Sequence, residues 1–251
     1  MKSISLIGSG NVATHLGLAL KKNNYQITQV FSRTLENAKK LAVILNSEAI
    51  NNLSELKTVD LIIISVKDNA ITKIIKKINN LPVVHTSGSV DLAIFGDKFK
   101  QCGVFYPVQT FNKNIDLDFS NIPICIETND KEFEKEIKHL ANCISNTVIC
   151  MTSKQRKQLH IAAVFSSNFS NHMFSIAQEL LNKSGVEFSI LLPLIQQTIK
   201  KLEKNKAKNV QTGPARRKDT AIIQEHLTNI QDKDIRDIYH KISESIIKKY
   251  E

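Results

Sequence analysis

The sequence predicts an α/β protein: a doubly wound, mainly parallel sheet followed by an all-helical C-terminal domain. Three observations predict it. A β-branched run, Ile4–Ile7, passes through a glycine pair straight into a helical pattern. Strand-like runs then alternate with helical stretches of about 10–15 residues, the mark of βαβ units. After Thr152 the strand signals stop. The boundary is accordingly placed between 151 and 152.

The stretch Gly8-Ser9-Gly10-Asn11-Val12-Ala13 carries the Gly-x-Gly-x-x-Gly/Ala spacing after a strand and at the opening of a helix. Gly8 permits the sharp turn, Gly10 lets backbone approach a pyrophosphate, and Ala13 allows close helix–strand packing. The helix N-terminus offers free N–H groups and the positive end of a dipole. Residues 1–151 are thus expected to form a Rossmann-type dinucleotide-binding domain.

A second strand, Gln26–Phe31, ends in Ser32-Arg33-Thr34, about 24 residues after Gly8. An acid here would hold a ribose 2′-hydroxyl. Arg33 instead suits a phosphate, through charge-assisted and bidentate hydrogen bonds. Ser32, Arg33 and Thr34 therefore point to NADP(H), with Thr34 also the expected N-cap of the helix Leu35–Asn46.

Next come a short strand at Glu48–Ile50, a continuous apolar run in Asp60–Val66, and a strand in Leu81–Thr86. Apolar runs of this kind suit strands buried on both faces. Ligands bind beyond the carboxyl ends of such strands. That rule puts Val66, Ser87 and Gly88 on one rim with Gly8–Val12. The proline and aromatics of Gly103–Phe111 suggest a stiff loop, either beside the nicotinamide or simply packed. Ile122–Glu127, a helix from Asp130 to Ser145 and Thr147–Cys150 extend the sheet.

Residues 153–182 read as one long helix, with further helices at 188–204, 217–228 and 232–249. On an ideal helix His160, Val164, Ser167, Asn168, Asn171 and Ser175 share one polar stripe. Buried polar groups need partners, so the stripe is expected to face a cavity or a neighbouring loop. His160 is the candidate proton donor, because histidine is the side-chain type best suited to general acid–base work. Asn168 and Asn171 are candidates to orient a carbonyl or carboxylate, with Ser167 beside them. In Gln211–Asp219, the turn Gly213-Pro214 precedes Arg216 and Arg217 at an expected helix start, where acids are preferred. Thr212, Arg216 and Arg217 are therefore read as contacts to an anion, either a substrate carboxylate or a cofactor phosphate.

Of the net charge of +10, +7 falls after residue 151. Zinc-finger spacing and aromatic RNA-binding motifs are lacking, so the lysines are expected to be a solvated helix end rather than a nucleic-acid surface. Cys102, Cys125, Cys143 and Cys150 show neither Cys-x-x-Cys spacing nor histidine clustering, so buried free thiols and no metal are expected. The first strand starts at residue 4, and apolar runs fall short of a bilayer span. A cytoplasmic protein without membrane contact follows as an expectation.

Gly8–Ala13, Ser32-Arg33-Thr34, His85-Thr-Ser-Gly-Ser89, Tyr106-Pro-Val-Gln-Thr-Phe111, His160–Phe169 and Thr212–Arg217 together resemble an uncharacterised family of Rossmann-like proteins with a helical C-terminal domain of unknown function. The N-terminal part is also similar to pyrroline-5-carboxylate reductases and deazaflavin-dependent NADP oxidoreductases. The resemblance implies NADP(H) binding, a homodimer through the helical domain and reduction of a C=O or C=N bond. His160 stands where a family acid would be, and the Lys–Asn pair of the 3-hydroxyacid dehydrogenases is not identifiable. The expected function is an NADP(H)-dependent oxidoreductase acting on a small anionic metabolite; the alternative is a non-catalytic NADP-binding sensor or scaffold. Fold alone does not choose between them.

Overall fold

The structure, a computed structural model, describes residues 1–250. Strands β1 (Ser3–Ile7), β2 (Gln26–Phe31), β3 (Glu48–Ile50), β4 (Leu61–Ile64), β5 (Val83–His85), β6 (Cys102–Pro107), β7 (Ile124–Thr128) and β8 (Val148–Cys150) form one sheet. Its order is β3-β2-β1-β4-β5-β6-β7-β8. All pairings are parallel except β6 with β7. Helices α1 (Asn11–Lys22), α2 (Leu35–Leu45), α3 (Asp68–Lys77) and α4 (Lys131–Ile144) connect the strands. The strand order reverses between β1 and β4, which opens the crevice that such sheets use for ligands.

The central strands are apolar on both faces because helices cover both. Ile4, Leu6, Leu61 and Ile63 pack with α1, α2 and α4. Ile7, Ile62 and Ile64 pack with α3 and with Phe95 and Phe99. On that second face, further along the sheet, Val104, Tyr106 and Cys125 meet Leu159 of α5 (Ser153–Ala163).

Helix α5 is anchored by polar contacts rather than by an apolar stripe. Thr152 and Gln155 form a reciprocal capping box at its start. Arg156, 1% exposed, forms an ion pair with Glu127 of β7 and donates to the Val90 carbonyl. Glu127 also accepts from the Ser153 backbone N–H at 2.8 Å and its hydroxyl at 2.7 Å. The carboxylate thus lies at the positive end of α5 and neutralises a buried guanidinium at once.

Helicity continues from α5 through a π-helical segment, Val164–Phe169, into α6 (Ser170–Asn182). This corrects the expected single regular helix. A π turn adds a residue per turn and rotates everything beyond it, so the polar stripe of an ideal helix does not persist. The chain divides into two compact units inside this stretch, Met1–Asn168 and Phe169–Glu251. The Arg156 anchor explains why residues 152–168 belong with the sheet rather than with the later helices.

The second unit contains α6, α7 (Leu192–Leu202), the single turn α8 (Pro214–Arg217), α9 (Thr220–Asn229) and α10 (Lys233–Lys249). Among its described residues only Ala215, Ile230, Ile235 and Ser243 are buried. Phe169, Phe174, Ile190, Leu192, Leu194 and Ile199 are exposed. No helix among the described residues is long and apolar enough to cross a membrane.

Replacing Glu127 with Ala should lower the unfolding free energy of the first unit by about 3 kcal/mol or more, because it strands a buried cation. Urea denaturation checks this; a loss under 1 kcal/mol would contradict the anchoring role.

Candidate functional site

A cleft of about 880 Å³ runs along the carboxyl rim of the sheet, entirely within the first unit. It is lined by Gly8, Ser9, Gly10, Asn11 and Val12, by Ser32 and Arg33, and by Val66, Ser87 and Gly88. These are the residues the sequence assigned to a cofactor, apart from Thr34. Thr34 is the N-cap residue of α2, without a side-chain capping bond, and lies outside the lining.

Backbone constraints explain the glycines. Gly8 has φ +130°, and a Cβ there would come within 2.1 Å of the Ser65 carbonyl oxygen, so β1 can turn beside β4 only without a side chain. At Gly10 a Cβ would meet nothing within 4 Å. Gly10 is also the N-cap of α1 and provides no side-chain cap. The first-turn N–H groups therefore face open cleft space, the arrangement a pyrophosphate requires. Asn11 is committed elsewhere: its amide donates to the Phe111 carbonyl at 2.8 Å and accepts from Lys113 N–H, which holds the 107–115 loop across the start of α1. With Arg33 where a ribose-binding acid would stand, these residues fit a phosphorylated dinucleotide.

At the other end of the cleft the structure brings together a pair that the sequence identified only in half. Tyr106, at the end of β6, and His160, on α5, share a hydrogen bond of 3.2 Å between the phenol oxygen and Nδ1. Their rings meet edge to face. Both pack on Gly88, where a Cβ would approach Tyr106 Cζ to 2.7 Å and His160 Nδ1 to 2.9 Å. The Ser87-Gly88 loop is thus the floor of the pair. Tyr106 is 9% exposed, and burial raises its pKa, with Cys125 adding to the shift and the Arg156 charge opposing it. It stays a neutral phenol with a proton to give. His160 reaches it because Ser153, Arg156 and His160 recur at helical spacing, and Arg156 fixes that face on Glu127. Val104, opposite Glu127, and Tyr106, opposite Cys125, alternate onto the same face of the sheet.

The position of Tyr106 was readable: it lies at a strand's carboxyl end, the same criterion that marked Val66 and Ser87. The proline and paired aromatics of Gly103–Phe111 suggest a stiff loop, whereas the structure makes Cys102–Pro107 a strand. Arg156 gave no signal, since an arginine in a polar helical turn looks like any solvated residue.

The loop beneath the pair is held by a buried histidine. His85 Nδ1 accepts the Ser87 N–H at 3.2 Å, and its ring stacks on Phe95 at 5.6 Å. Ser89 and Asp68 form a further hydrogen bond across the rim.

The remaining proposed site residues are not gathered here. Ser167 and Asn168 do not line the cleft, and Asn168 is exposed. Asn171 is exposed on α6 of the second unit. Thr212 borders an apolar hollow with Pro214, Ile235 and Ile242. Arg216 stacks on Tyr250 at 4.4 Å, and Arg217 is exposed. Neither arginine lies at the start of α9, which overturns their expected placement. They end the single turn α8, Lys218 follows in the left-handed region (φ +58°), and Asp219 caps α9 through its bond to Ile222 N–H. Acid, not base, occupies the helix start, as the dipole prefers.

Cys102 and Cys125 are buried free thiols as expected, whereas Cys143 and Cys150 are exposed. Among the described residues no cluster of metal-ligating side chains forms.

A Gly-rich turn at a helix N-terminus and a tyrosine–histidine pair on one sheet rim have the form of a nicotinamide dinucleotide oxidoreductase fold. Residues 3–86 match the family of coenzyme F420-dependent NADP oxidoreductases, and residues 122–246 match the domain of unknown function DUF2520. A protein from Bacteroides fragilis, provisionally named an NADP oxidoreductase, is 39% identical over 98% of both chains, with a TM-score of 0.92. The chain belongs to that family, which joins an NADP-oxidoreductase domain to a DUF2520 domain. Pyrroline-5-carboxylate reductase from Streptococcus pyogenes (16% identity, 99% and 97% of the two chains, TM-score 0.65) shares the fold. So does an imine reductase from Myxococcus stipitatus in complex with NADP+ (14%, 98% and 92%, TM-score 0.62). No curated protein matches the sequence.

Stability should depend on pH through His85. Burial, helped by the Arg156 charge, pushes its pKa down to about 4, while the unfolded side chain titrates near ~6.5. The unfolded chain therefore takes up the proton first. The contribution is complete above ~6.5 and is lost between ~6.5 and ~4 at about 1.4 kcal/mol per pH unit. Urea denaturation across that window should show this slope, and His85→Asn should flatten it; an unchanged slope in the variant would refute the assignment.

Proposed function

We propose that the chain is an NADP(H)-dependent oxidoreductase that reduces a C=O or C=N bond of a small metabolite. The observation that carries this reading is the Tyr106–His160 pair, set on the Ser87-Gly88 loop in the same cleft as Gly8–Val12. When bound, the cofactor supplies a hydride; the residues supply position, charge and a proton. Backbone N–H groups at the start of α1 hold the pyrophosphate. Arg33 holds the 2′-phosphate. Tyr106 presents its phenolic proton to the oxygen or nitrogen of the substrate. His160, half-exposed, returns a proton to Tyr106 through Nδ1 and exchanges with solvent.

The same reading includes a homodimer through the helical unit. Phe174 of α6 and Ile190, Leu192 and Leu194 around the start of α7 are large apolar side chains left exposed on the helical unit, and a second copy of that unit would bury them. Light scattering should give twice the mass of one chain, and Leu194→Glu with Ile190→Glu should lower it toward one.

NADPH oxidation against a panel of imines, keto acids and aldehydes tests the activity. Turnover of at least one class is expected, and His160→Asn and Tyr106→Phe should each cut it about 10²-fold or more while NADPH binding persists. Binding without turnover across the panel would favour the non-catalytic sensor.

A further inference from the structure

A second hollow of about 440 Å³ adjoins the cleft, and no step described so far uses most of it. It shares Phe31, Arg33, Asn69, Ala70 and Ile74 with the cleft, so a ligand lying along the cleft reaches into it. Lys73 and Lys77, both on α3, line it opposite Arg33. Spaced four residues apart, they project from one helix face as a like-charged pair, which by itself opposes helix formation. None of the three cations makes an ion pair or a side-chain hydrogen bond among the described residues, and no carboxylate lines the hollow. The one acid of α3, Asp68, is occupied by Ser89. Lys77 gains from the helix C-terminus, but Lys73, mid-helix, does not.

The rest of the wall says what kind of anion belongs there. Phe31, Leu53, Ala70 and Ile74 give the hollow apolar surface, and Asn51 and Asn52 add amides to its lining. The Asn52 carbonyl oxygen caps the Ser54 N–H, which leaves its NH2 to donate. Apolar surface, amides and three unpaired cations match a purine ribonucleotide with a phosphate beside the purine. Free inorganic phosphate would use the cations and leave the apolar surface exposed.

We propose that Lys73 and Lys77 join Arg33 as the residues that bind the adenosine 2′-phosphate, so that α3 shares with the end of β2 the choice of the phosphorylated dinucleotide. This rests on the cofactor reading given above. It makes preference a property of two elements: the arginine contributes a bidentate fork, and the lysines contribute point charges that follow the phosphate. All three are exposed, so their effect is screened by salt and is of moderate size.

Equilibrium titration with NADPH, NADH and 2′,5′-ADP tests it, using the full chain with Lys73→Ala and Lys77→Ala singly and together. The double variant should weaken NADPH and 2′,5′-ADP about tenfold or more at low salt and NADH less than twofold. Retained NADH binding also shows that the variant is folded. If wild-type chain prefers NADPH and the double variant keeps the full preference, the lysine assignment is wrong and the cofactor reading stands. If wild-type chain binds NADPH and NADH equally, the cofactor reading falls and the lysine assignment with it. Equal weakening of both dinucleotides would also overturn the proposal, since it would mark a general effect on the cleft.

Discussion

The contact between Arg156 and Glu127 is the constraint on which the candidate site depends. A buried guanidinium is tolerated only with a carboxylate and further acceptors around it, and here Glu127, the Val90 carbonyl and Ser153 provide them. These partners come from β7, from the segment after the Ser87-Gly88 loop, and from α5 itself. One charge therefore fixes three pieces of backbone relative to one another. Hydrophobic contact alone would leave α5 loosely seated, since few of its residues are apolar and buried.

From that anchor the chemistry follows by helical geometry. Arg156 and His160 are one turn apart, and Glu127 and Tyr106 alternate onto the same sheet face, so seating the first pair brings the second pair together. Gly88 has no side chain because the two rings occupy its space. His85 beneath it must stay neutral to accept the Ser87 N–H, and the nearby Arg156 charge helps to keep it so. The ion pair thus acts on the site twice, by position and by field.

Legibility in the sequence followed the range of the interactions. Strand β2 and the start of α2 lay at their expected residues because local pattern and turn chemistry decide them. The gathering of Gly8–Val12 with Val66, Ser87 and Gly88 on one rim was readable because glycine spacing reports backbone geometry directly. His160 emerged from its place in the stripe along the expected 153–182 helix, but its pairing with Tyr106 did not, because the pair joins residues 54 positions apart. The π segment at Val164–Phe169 leaves no mark in a 3.6-residue period, and it is that period that places Asn168 and Asn171 on one stripe with His160. Arg216 and Arg217 failed for a related reason: the single turn before Lys218 separates them from α9, so the dipole rule was applied to the wrong helix end.

The claim at the centre is that one cleft holds the dinucleotide and presents it to a tyrosine–histidine pair. A crystal structure of the chain with NADPH measures it directly. The account requires density for the pyrophosphate at Gly8–Val12, the 2′-phosphate at Arg33, and the nicotinamide ring over Ser87-Gly88 facing the Tyr106 hydroxyl. A nicotinamide ring placed away from Tyr106 and His160, with the adenosine end still at Arg33, would contradict it.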